Sequence, residues 1–212
     1  MTTRRSLVSL TVAALTLSAL AGCSSGTADT VATSAGATQA AVPTGSATDV
    51  AFAQSMIPHH QQAVEMADLA LSGGSGASDQ VRRLARQIKA AQDPEMQQMT
   101  KWLQGWGAPT AMPGTTDGSG MAGMDHSGHD MGGMSVSGMM TADQMTRLRQ
   151  ARGPRFDQLW LSMMIDHHQG AIAMAEQARS SGNVLVRVMA DGIIAAQREE
   201  IGAMSALLDG GR

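Results

Sequence analysis

The chain has a single cysteine, Cys23, among its 212 residues. That excludes a disulfide within one chain and any thiolate metal site downstream of it. Tyrosine is absent, with only two phenylalanines and three tryptophans, so an aromatic-rich core is excluded. The net charge is −3 with no basic stripe, which leaves nucleic-acid binding without electrostatic support. Strand-like alternation of useful length is missing, as are a glycine-rich phosphate loop after a strand, a nucleophile elbow and His-Glu-x-x-His. Catalysis therefore has no positive evidence, and the chain reads as a non-enzyme. The longest apolar run, Leu7 to Ala21, is too short for a stable membrane span.

What is present starts with that run. It follows Arg4 and Arg5 and has the shape of a secretory signal over residues 1–22. The twin arginine leaves the Sec and Tat routes both open. The run ends Leu20-Ala21-Gly22-Cys23, which resembles the bacterial lipobox and implies cleavage before Cys23 and lipid attachment to its sulfur. Acyl chains gain about 0.8 kcal/mol per buried methylene, enough for several to hold a protein on a membrane. Residues 23–48 are mostly Ser, Thr, Ala and Gly and read as a flexible tether between lipid and domain. The expected location is the outer side of the cytoplasmic membrane.

The rest of the chain is duplicated. Met56-Ile57-Pro58-His59-His60-Gln61-Gln62-Ala63-Val64-Glu65-Met66-Ala67 is answered by Met164-Ile165-Asp166-His167-His168-Gln169-Gly170-Ala171-Ile172-Ala173-Met174-Ala175. In the first phrase Phe52, Met56, His59, Ala63, Met66 and Ala70 recur at helical spacing. Trp160, Met164, His167, Ala171, Met174 and Ala178 do so in the second. The following segments also match, with seams Ile88, Gln92, Met96, Met99, Leu103 and Ile193, Gln197, Ile201, Met204, Leu208. Each half is thus an αα-hairpin, over 49–106 and 141–209, and two hairpins make an all-α four-helix bundle. Asp49 is the expected N-cap of the first helix and Ser78 of the second. Thr141 and Gln144 form a capping box that opens a short extra helix in the second half. Pro58 should bend the first helix, and Asp166 in the second copy should not, so the two histidine sites are expected to differ.

Four of the six histidines sit in the duplicated phrases, among 18 methionines in the chain. Imidazole and thioether without thiols suit copper as Cu(I) or Cu(II), and silver follows Cu(I) by softness. Neighbours on a helix point about 100° apart, so His59 and His167 face the bundle centre while His60 and His168 turn to a helix edge or the surface. Met56 precedes His59 by one turn. Met164 and Met163 stand in that relation to His167. Met66 and Met174 lie two turns further on, roughly 10 Å away by helical rise, as a second station. Gln92 and Gln197 fit an orienting role behind the histidines. The bland reading is a set of packed histidines hydrogen-bonded to those glutamines. A di-iron carboxylate site is disfavoured, because Glu-x-x-His is absent and Glu65 and Glu176 are out of register with each other.

Between the halves, residues 107–140 form a Gly- and Ser-rich insert carrying Met121, Met124, His126, His129, Met131 and Met134. A loop of that length in a small domain is functional or disordered. Exposed methionine gains nothing from solvent, whereas a string of thioethers and imidazoles captures a soft ion.

The paired Met-Ile-x-His-His-Gln phrases, with Gln92 and Gln197 on their helical partners, resemble the bacterial domain of unknown function 305 family over about residues 48–209. The resemblance implies a ferritin-like four-helix bundle, secreted or lipid-anchored, linked in several members to copper binding and tolerance. Matched by position, Met56, His59, His60, Met66, Met164, His167, His168 and Met174 fall on the family's phrases. The sequence thus points to copper buffering, trafficking or tolerance outside the cytoplasm, with copper ions, the membrane and a copper-delivery protein as partners. A non-catalytic helical interaction module and a copper-dependent oxidoreductase are the alternatives.

Overall fold

In a computed structural model, residues 44–110 and 138–210 are described, within one compact unit over Ala40–Arg212. Five helices follow in order: α1 (Ala47–Leu71), α2 (Asp79–Gly105), α3 (Ala142–Gln150), α4 (Gly153–Ala178) and α5 (Val184–Gly210). The described residues contain no strand. The signal segment, most of the tether including Cys23, and Met121, Met124, His126, His129, Met131 and Met134 of the insert lie outside the described residues.

The helices start where side chains can meet the unpaired amides of a first turn. Ser46, not Asp49, caps α1. Asp49 is the third helical residue, and its carboxylate accepts from the Ser46 amide while the Ser46 hydroxyl accepts from the Asp49 amide. Spacing alone does not separate a cap from its reciprocal partner, which is why the acidic residue drew the assignment. Ser78 caps α2, and Thr141 with Gln144 forms the capping box of α3. Proline does not end the long helices, because α1 continues through Pro58 and α2 through Pro94.

The four long helices pack as two antiparallel hairpins, α1–α2 and α4–α5, joined mainly along α1 and α4. Trp160 at the start of α4 donates its indole N–H to the Met66 carbonyl near the end of α1, 2.8 Å away. At the other end the Ser181 hydroxyl, after α4, donates to Asp49 at the start of α1. These two contacts make α1 and α4 antiparallel. The end of α2 and the start of α4 therefore lie at opposite ends of the bundle, as in ferritin-like topology with one long crossover.

The same clamp is built at both ends. Asp49 and Asp157 occupy matching positions in the repeats, and each accepts hydrogen bonds from the loop of the other hairpin. Asp49 accepts from Ser181, and Asp157 from the Ser78 amide at 3.1 and 3.2 Å. Burial pushes the Asp49 pKa up, but the hydrogen bonds from Ser181 and Ser46 outweigh it and hold the group below its usual value.

The apolar core is split in two. One cluster gathers the second half of α1, the start of α2, α3, the start of α4 and the end of α5, around Met66, Ile88, Leu148, Phe156, Trp160, Met164 and Met204. The other joins the first half of α1, the end of α2, the end of α4 and the start of α5, around Met56, Met99, Leu103, Ala171 and Ile193. Between them, at mid-height, lies a layer of buried polar side chains.

Candidate metal centre

That layer consists of His59 and His60 on α1, His167 and His168 on α4, Gln92 on α2 and Gln197 on α5. All four imidazoles are 0% exposed, and the glutamines 2% and 3%. His59 and His167 sit at the antiparallel crossing of α1 and α4, their ring centroids 3.8 Å apart and tilted by 40°. Their helical seams placed both at the centre, as the spacing required. His60 and His168 lie outward of them, with centroids 6.5 Å from His59 and 6.4 Å from His167. They occupy helix edges and are buried, so the surface position that the sequence left open for them is excluded. Their neighbours explain this. His60 Nε2 lies 2.9 Å from Glu95 Oε2 on α2, and His168 Nε2 lies 2.7 Å from Glu200 Oε2 on α5. Each edge position is covered by the second helix of its own hairpin.

Glu95 and Glu200 were not among the candidate residues read from the sequence. The signal was there: aligning the segment after Ile88 with that after Ile193 sets Glu95 against Glu200 in the same column. Glu65 and Glu176, which are out of register with each other, face elsewhere. Glu65 pairs with Arg149 and Glu176 with Arg179 and Arg198 at the surface.

The layer carries unmet polar capacity. His60 Nδ1, His168 Nδ1, both ring nitrogens of His167, both amide atoms of Gln92 and Gln197 Oε1 are buried with no hydrogen-bond partner. A buried polar atom without a partner costs about 1–3 kcal/mol. The bland reading, in which Gln92 and Gln197 satisfy the histidines, fails for Gln92, whose side-chain amide bonds to nothing. Burial above all, then the adjacent His59 ring and the other two imidazoles, drives the His167 pKa from 6.5 to about 2. That ring is neutral at physiological pH, the form in which imidazole binds metals.

Methionine flanks the layer. Met56, Met66 and Met164 are fully buried and Met163 nearly so, while Met174 is half-buried. Met56 belongs to one apolar cluster and Met164 to the other, each one turn from its histidine. Among the described residues, no three His, Cys, Asp or Glu side chains converge to hold an ion by themselves. The donors within the layer and its flanks are imidazole, thioether and amide, with the Glu95 and Glu200 carboxylates behind the edge histidines, a nitrogen- and sulfur-rich set that fits copper.

The end of the insert reaches this layer. Met140 donates its N–H to Gln62 Oε1 at 2.6 Å, and Gln62 Nε2 donates to the Met140 carbonyl at 2.9 Å. Gly138, at φ +83°, passes so close to α4 that a Cβ there would stand 2.6 Å from the Asp166 carbonyl oxygen and 2.9 Å from Gly170 Cα. Gln62 and Gly170 hold the same position in the two repeats. One grips the passing strand and the other makes room for it. A groove of about 1000 Å³ lined by Val81, Leu159, Leu161 and Leu207 lies elsewhere, and no histidine lines it. Among the described residues, no helix is long and apolar enough to cross a membrane.

The family model described as Domain of unknown function (DUF305) matches residues 49–208. A DUF305 protein of Streptomyces coelicolor described as secreted is 30% identical, with a TM-score of 0.63 over 77% of this chain and 91% of that one. A DUF305 fragment from Deinococcus radiodurans is 28% identical, with a TM-score of 0.65 over 79% and 99%. CopM in its Cu(II)-bound form is 30% identical, with a TM-score of 0.58 over 77% and 97%. CopM in Cu(I)-bound, silver-bound and apo forms is similar to the chain as well. No curated protein matches it.

Proposed function

The chain belongs to the DUF305 family, and on that premise we propose that it is an extracytoplasmic copper-binding protein, anchored by lipid at Cys23, that buffers, traffics or detoxifies copper. The observation that carries the reading is the layer of four buried histidines midway along the α1–α4 contact, with unsatisfied atoms on His60, His167, His168, Gln92 and Gln197. Apolar residues would pack there at lower cost, so the layer needs a reason beyond stability. The solved complexes of CopM with Cu(I), Cu(II) and silver support copper as cargo, with silver accepted in its place.

In this reading His59, His60, His167 and His168 supply imidazole nitrogen, and Met56, Met163 and Met164 supply sulfur beside them. Met66 and Met174 form a second station further along the same helices. Gln92 and Gln197 orient the donors. Met121, Met124, His126, His129, Met131 and Met134 capture the ion outside the bundle. A copper-delivery protein would exchange ions with the insert. Copper is carried and not used for turnover.

The test is a Cu(I) titration of the full chain in detergent against a competing chelator, beside two variants. In one, the six named methionines and histidines of the insert become Ser, which keeps the connection to Gly138 at its natural length. In the other, His59→Gln is combined with His167→Gln. Tight binding retained by the first and lost by the second is expected. The opposite pattern would make the insert the metal device and the bundle its scaffold. No binding by the unmodified chain would favour the interaction module.

A further inference from the structure

The two carboxylates beside the layer have no role in the reading above. Resting on that reading, we propose that Glu95 and Glu200 are positioning residues that fix the tautomers of His60 and His168, so that each ring offers copper Nδ1 and withholds Nε2.

A carboxylate has acceptors and no donor, so the nitrogen facing it must carry the hydrogen. In both pairs that nitrogen is Nε2, at 2.9 Å from Glu95 and 2.7 Å from Glu200. A neutral imidazole has one N–H, which leaves the lone pair on Nδ1. In both rings Nδ1 is buried and has no partner. A doubly protonated ring would bury an N–H against nothing, whereas a lone pair kept for an ion is spared that penalty once the ion arrives. The rings are wholly enclosed, so water does not scramble the choice. The Glu95 and Glu200 side chains remain 23% and 16% exposed, which keeps them acceptors in contact with solvent.

The arrangement recurs in both hairpins although the neighbouring residues differ, Pro94 beside Glu95 and Glu199 beside Glu200. A carboxylate behind a metal-binding imidazole also raises its basicity and locks its rotation.

The test begins without metal. In long-range 1H–15N spectra of the full, 15N-histidine-labelled chain at neutral pH, His60 and His168 should appear as Nε2–H tautomers. Glu95→Leu should disturb His60 alone and Glu200→Leu His168 alone. Glu95→Gln and Glu200→Gln, whose amide oxygens still accept, should preserve both patterns. With copper, the Leu variants should lose about 10- to 100-fold in affinity and the Gln variants far less. Nδ1–H tautomers or doubly protonated rings in the metal-free chain would overturn the assignment. So would Leu variants that bind copper as tightly as the unmodified chain. Correct tautomers with no copper binding at all would remove the proposed function, and the donor assignment with it, while leaving the hydrogen-bonding role of the glutamates intact.

Discussion

The two hairpins agree in the polar layer at mid-height and differ where the crossover passes. Asp49 and Asp157, His59 and His167, the His60–Glu95 and His168–Glu200 pairs, and Gln92 and Gln197 are all matched. Gln62 and Gly170 are not, because a single strand at Gly138–Met140 crosses the face they share. A duplicated pair of hairpins can be symmetric in its core, but only one chain connects them. The asymmetry therefore collects at the connection. Pro58 has no counterpart in the second repeat, yet the edge histidines are partnered alike, His60 by Glu95 and His168 by Glu200.

The hairpins should differ most at the large seam residues that open each stripe, Phe52 and Trp160. Truncating either to Ala should cost about 3–5 kcal/mol. Trp160→Ala should exceed Phe52→Ala by roughly 1 kcal/mol, because it also removes the hydrogen bond to the Met66 carbonyl. Urea unfolding of the two variants measures the difference, and equal losses would mean the cross-hairpin bond contributes nothing.

Next in size is the effect of pH on the metal-free protein. His167 is held near 2 in the folded chain against 6.5 when free. Below about 6.5 the unfolded chain takes up a proton that the folded one refuses. Stability is therefore complete above that pH and falls as the pH drops from 6.5 toward 2. Urea midpoints at pH 7.5, 6 and 5 should decline in that order. His167→Gln should flatten the trend, and an unchanged slope would place the responsible group elsewhere.

The smallest effects probe the crossing strand. Gly138→Ala combines a left-handed backbone with a Cβ against the Asp166 carbonyl, and should cost about 1–3 kcal/mol. Gln62→Ala removes both bonds to the Met140 backbone and should cost about 1–2 kcal/mol. Gly107→Ala serves as the control. It has a similar backbone conformation, φ +68°, with nothing near the added carbon, and should lose less than Gly138→Ala. If the two glycine variants lose equally, close approach to α4 is not what Gly138 is for.

Much of this was legible in the residues. Period and repetition suffice to place Met56, His59, Met164 and His167 on inward faces, because helical geometry converts spacing into direction. The same geometry put Gln92 and Gln197 inward on the partner helices. It was silent on Glu95 and Glu200. They stand between the seam and the solvent face, where direction alone does not say which neighbour is met. Spacing leaves the N-cap of α1 undecided for a related reason, since Ser46 and Asp49 each satisfy the other.

By itself the sequence determined the helices, their pairing into hairpins, the soft donor set and the family, because each depends only on local period, residue chemistry or repetition. Tertiary structure alone decided that the His59 and His167 rings meet, that the edge histidines are buried against glutamates, and that the crossover bonds to Gln62 while clearing Gly170. Each of those is a contact between segments far apart in the chain. Such contacts depend on how α1 packs against α4 and how the two helices of each hairpin face one another, which no local pattern encodes.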